Sequence, residues 1–111
     1  MIAAGKTKRT WVGQSGRVYS YQVRSITDPI KRGAGNFIVG FADAGGWWTP
    51  LYMGESSRLA TLLGNPELIT WLRRLGATHL HVHSSSDRAS RSAEKADLIS
   101  RFRPPLNDSL I

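Results

Sequence analysis

The sequence predicts an α/β fold, a small mostly antiparallel sheet flanked by helices with an extra N-terminal β-hairpin, and three observations lead there. Two pairs of short alternating or apolar runs are each joined by glycine-containing turn chemistry, as hairpins are. Apolar residues recur at helical spacing between Ser56 and Gly76 and again before Phe102. Between those helical stretches, Thr78 to Ser84 alternates as a strand does. At 111 residues and 41% hydrophobic, the chain is long enough to bury one core and too short for two. A functional site must therefore share the folding core.

Residues 1–9 carry no hydrophobic period and read as a flexible basic tail. Thr10 to Gly13 and Arg17 to Arg24 flank the turn Gln14-Ser15-Gly16, and Tyr19, Tyr21 and Val23 share the face expected to pack inward. With the breakers Asp28-Pro29 and Gly33-Ala34-Gly35 behind it, this hairpin reads as an extension over residues 10–32, and residues 33–111 as the main domain. In that domain Asn36 to Ala42 and Thr49 to Met53 form a second hairpin across Asp43-Ala44-Gly45-Gly46. Ser56 or Ser57 caps a helix through Arg58, Leu59, Leu62 and Leu63 that ends at Gly64-Asn65. Pro66 opens the next helix, whose stripe of Leu68, Ile69, Leu72 and Leu75 stops at Gly76. In the following strand Leu80 and Val82 face one way and His79, His81 and His83 the other, wetter way. Ser86 or Asp87 caps the last long helix, striped by Leu98, Ile99 and Phe102, and Pro104-Pro105 forbids its continuation.

Composition narrows the function classes. Cysteine is absent, which removes disulfides, thiolate zinc sites and a cysteine nucleophile. No apolar run approaches the ~20 residues of a membrane span, and the N-terminal segment lacks the apolar stretch of a secretory signal, so a cytoplasmic, membrane-free protein is expected. Fifteen Lys and Arg against eight Asp and Glu give a net charge of +7, which favours polyanionic partners. Residues 1–32 hold seven of those fifteen basic groups and one acid, Asp28.

Four features fall in one order: Gly35-Asn36-Phe37 opening a strand, Tyr52-Met53-Gly54 closing its hairpin partner, Glu94 inside the last long helix, and Asn107 after Pro104-Pro105-Leu106. In this order the chain resembles the GIY-YIG nuclease family over residues 33 to 108, most closely in LYMGESSRL and RSAEKADLISRFRPPLN. The resemblance implies a GIY-YIG-like fold in which the tyrosine and the helical glutamate share a cleft, the glutamate binds a divalent metal, Mg2+ or Mn2+, and the asparagine supports the site. Those roles fall on Tyr52, Glu94 and Asn107, with Tyr52 as base or water orienter. Such a lean site suits magnesium, which commonly takes one or two protein carboxylates and fills its other positions with water and substrate oxygens. Phe37 stands where the family has its first tyrosine, and Leu62 where its helix arginine falls.

Arg58 lies four residues before Leu62 on the same helical face and is the expected phosphate clamp in the arginine's place. The three histidines cannot all reach one zinc ion, because same-face neighbours on a strand stand about 6.6 Å apart. His81 or His83 is instead expected to point into the cleft near Tyr52 as a proton shuttle or phosphate contact. Arg17, Arg24, Arg58 and Arg91 are the candidate nucleic-acid contacts. Trp47-Trp48 beside the Gly45-Gly46 turn either stacks on unpaired bases or packs against the first hairpin, and packing is the expectation adopted. Two functions follow, a metal-dependent endonuclease acting on DNA or a nucleic-acid-binding domain with a degenerate site, and a third reading is a zinc protein that uses two adjacent histidines of the strand. A homodimer or a partner protein would supply specificity and double-strand cutting.

Overall fold

The computed structural model describes residues 7–109. Thr7–Val12 (β1) and Val18–Ser25 (β2) form the first hairpin, Gly35–Ala42 (β3) and Trp48–Ser56 (β4) the second. Leu59–Leu63 (α1), Pro66–Arg74 (α2), His79–Ser84 (β5), Arg88–Phe102 (α3) and Pro105–Ser109 (α4) follow. All five strands join one antiparallel sheet in the order β1-β2-β5-β3-β4. The first hairpin joins the same sheet: Gln22 to Ser25 pair with Val82 to His79 and extend it past β5. The whole of 1–9 is not a tail, because residues 7–9 already belong to β1, while 1–6 lie outside the described residues.

Local chemistry accounts for the boundaries. Asn65 caps α2 by accepting from the backbone of Glu67 and Leu68, Pro66 occupies its first turn, and Gly76 beyond it takes φ +103°, a conformation that side chains disfavour. Ser56 does not cap α1; its hydroxyl accepts from Arg58 N at 2.9 Å, and Arg58 itself holds the cap position without a side-chain bond. Asp87 caps α3 through Ser90 N, and Arg103 closes it in the left-handed region (φ 44°) ahead of Pro104.

The sheet separates two cores. On one face Phe37, Val39 and Leu80 pack with Leu59, Leu63 and Leu72 of α1 and α2. On the other, Trp11, Tyr21, Ile38 and Met53 pack against Leu98 of α3. The sheet curls around α3, so that Trp11 of β1 and Trp48 of β4, on opposite outer strands, both meet His81 of β5, at ring separations of 5.4 and 4.5 Å. None of the described helices is long and apolar enough to cross a membrane.

Candidate functional site

The helix α3 buries Arg91, Glu94 and Leu98, residues spaced to share one face, and two of the three are charged. Each charge has a partner waiting on the sheet. Arg91 Nε donates to Glu55 Oε1 at 2.8 Å and its Nη1 to Ser85 O at 3.1 Å. Glu94 accepts from the Tyr21 hydroxyl and pairs with His83 Nδ1, which lies 2.9 and 3.0 Å from its two oxygens. One turn on, Asp97 accepts from the Tyr19 hydroxyl at 2.8 Å, from Ser15 N at 2.8 Å and from Ser15 Oγ at 2.7 Å. The match is geometric: residues two apart on a strand and three apart on a helix each repeat at roughly 5 to 7 Å, so two tyrosines on β2 meet two carboxylates on α3 rung by rung.

Burial and the Glu94 bond push the Tyr21 phenol far above its usual range, and burial with the Asp97 bond takes Tyr19 to about 12. Both remain neutral donors near pH 7. The Ser15 hydrogen bonds hold the Asp97 carboxyl below its ordinary value. Beside this buried layer opens a cleft of about 420 Å³ lined by Arg17, Tyr19, His83, Ser90 and Glu94. His83 reaches it with 35% of its side chain exposed, whereas Glu94 is only 6% exposed. A carboxylate bonded to one ring nitrogen fixes an imidazole's orientation and leaves the other nitrogen to exchange a proton or contact an anion.

The site expected from the sequence is not gathered here. Tyr52 lies on the sheet face opposite Glu94: it packs against the α1 and α2 core, its ring centroid 5.9 Å from that of Phe37. Its neighbour Met53 points the other way, into the cluster that contains Tyr21 and Leu98. Strand alternation therefore puts the five-stranded sheet between the phenol and the carboxylate. Burial also raises the Tyr52 phenol, which opposes a role as base. Phe37 is a buried wall of the same apolar core. Arg58 is exposed, on the Tyr52 side, beside Arg32 and Ser57. Asn107 binds the β4 backbone, accepting from Met53 N at 2.9 Å and donating to Met53 O at 2.8 Å, so it closes the outer edge of β4 as a further strand would.

Neither histidine lies near Tyr52. His81 is 1% exposed, accepts the Trp11 indole proton on Nδ1 at 3.0 Å and is held neutral by burial, its pKa lowered to about 4. A sealed ring of this kind cannot shuttle protons to solvent. His83 faces the α3 side, against Glu94. Of the candidate nucleic-acid contacts, Arg17 is exposed at the cleft and Arg24 is half-buried, but Arg91 is buried in its ion pair with Glu55 and is a structural residue. Trp48 packs beside His81, whereas Trp47 is 77% exposed instead of packing.

The residues around Glu94 do not fit a resident divalent cation. Its oxygens are already bonded to a phenol and an imidazole, and its side chain is 6% exposed, which leaves little access for the waters such an ion carries. An octahedral ion would have to displace the bonds that fasten α3 to the sheet. The sequence reading missed Tyr21, Tyr19, Asp97 and Glu55 as polar partners. The spacing of tyrosines at 19 and 21 against acids at 94 and 97 was the available signal. Comparison with protein-family models, curated proteins and solved structures finds no match to this chain.

Proposed function

We propose that this chain is a cytoplasmic nucleic-acid-binding domain with a GIY-YIG-like core whose cleavage site is not assembled. The observation that carries the reading is how charge is sorted. Every acidic side chain described except Glu67 accepts a hydrogen bond from within the protein. Every basic side chain described except Arg24, Arg91 and Lys95 is exposed. Among the described residues eleven basic side chains are exposed against three acidic ones, Asp43, Glu67 and Asp87, so the outward field is positive and suits a phosphate backbone.

Fluorescence anisotropy with labelled DNA, in the presence of a chelator, tests this. Binding is expected without divalent ions, and with a logarithmic salt slope near −4 affinity falls a few hundredfold between about 50 and about 200 mM salt. Absence of binding at low salt, or binding indifferent to salt, defeats the proposal.

A second reading, phosphodiester hydrolysis of DNA, draws on one observation: the Glu94-oriented His83 imidazole opens on the same cleft as Arg17. There His83 would take the proton from a water attacking phosphorus, the P–O bond to the leaving sugar oxygen would break with that oxygen protonated by solvent, and Arg17 would hold the phosphate.

A further inference from the structure

A second groove has about 390 Å³ of open volume and is lined chiefly by Arg9, Trp11, Trp47, Trp48, Arg101 and Phe102, none of which lines the cleft at Glu94. It exists because the sheet curls: β1 and the tip of the β3–β4 hairpin approach each other over the Trp11, His81 and Trp48 rings, and the C-terminal turn of α3 closes one side. An indole that is 77% exposed is costly to leave in water. Here the loop is built to hold it outward. Asp43 Oδ1 accepts from Gly45 N at 2.9 Å and Trp47 N at 3.0 Å, and Asp43 N donates to Trp47 O at 2.9 Å, which fixes the backbone that carries the ring.

The rim is cationic and ordered as well. Arg101 lies over the Phe102 ring, 5.4 Å from its centroid, and donates to Val12 O at 3.2 Å, while Arg9 is exposed on β1. Among the described residues, no acidic one lines the groove. Flat aromatic faces between guanidinium groups are what unpaired bases and their flanking phosphates require, and a duplex cannot offer its stacked bases to such faces. Resting on the nucleic-acid reading above, we infer that this groove takes single-stranded nucleic acid, with Trp47 as the stacking platform and Arg9 and Arg101 on the phosphates.

The test uses the full chain with a labelled oligothymidine and a duplex of equal length, both followed by anisotropy. Trp47→Ala, at an exposed position that leaves the core untouched, is expected to weaken oligothymidine binding about tenfold or more with its salt slope unchanged. Arg9→Ala is expected to lower the slope by about one unit, and duplex binding should not respond to Trp47→Ala. Unchanged oligothymidine affinity in Trp47→Ala overturns the inference, as does a variant altered only in self-association by sedimentation, which would make the groove a contact between copies. If the wild type binds both nucleic acids and Trp47→Ala changes nothing, only the groove assignment falls. If the wild type binds neither, the functional reading fails first.

Discussion

Glu94→Ala is expected to destabilise the protein by about 3 kcal/mol and to lower its melting temperature by roughly 10 °C, an effect on folding and not on chemistry. The carboxylate lies in the buried layer that ties α3 to β2 and β5, and its removal leaves the Tyr21 hydroxyl, on a residue 1% exposed, without an acceptor. His83 loses its partner too, although at 35% exposure it recovers part of that loss in water. Glu94→Gln keeps the shape and one acceptor oxygen, so about half the penalty is expected. Urea or thermal unfolding of the two variants checks this. A metal-binding glutamate held in reserve behaves otherwise: its neutralisation relieves electrostatic cost, so both variants would melt at or above the wild-type temperature.

Acid should loosen the fold well before the carboxylates titrate. His81 has its folded pKa lowered from 6.5 to about 4 by burial, with the nearby His79 and Arg9 charges adding to the effect. The Trp11 bond gives the same sign, since Nδ1 must stay unprotonated to accept it. As pH falls through 6.5 the unfolded chain takes up a proton that the folded chain refuses until about 4, so stability is full above 6.5 and is lost across that window. The whole loss is on the order of 3 kcal/mol. Asp87 and Asp97, whose pKa values are lowered by Ser90 and Ser15, lose their contributions only below the ordinary carboxylate range, so the two processes separate. Urea midpoints measured from pH 7 to pH 4 should decline in the wild type and stay nearly level in His81→Gln. A wild-type midpoint constant from pH 7 to pH 5 would refute the assignment.

Punctuation was legible in the sequence and partnership was not. Asp43-Ala44-Gly45-Gly46, Asn65-Pro66, Gly76 and Asp87 act through bonds within a few residues, and their turns and caps stand close to where the sequence puts them. The alternation in β5 correctly divides Leu80 and Val82 from the three histidines, but strand spacing says nothing about which neighbour covers each face. That gap decided the site. Tyr52 and Glu94 are joined in sequence by motif order alone, whereas the face each occupies depends on Tyr52 pairing with Val39 on the α1 and α2 side of the sheet and on α3 crossing the other side. From the sequence Arg91 is expected to meet nucleic acid and Glu94 a metal, because their partners Glu55 and Tyr21 lie 36 and 73 residues away along the chain, beyond the reach of local pattern.

The most direct trial of a binding domain without a cleavage site is a denaturing gel of end-labelled DNA incubated at saturating protein with Mg2+ or Mn2+, wild type beside His83→Ala and Glu94→Gln. The account predicts full-length DNA in every lane while anisotropy reports it bound. Cut products with the wild type that vanish in either variant would contradict it and return the His83–Glu94 cleft to catalysis.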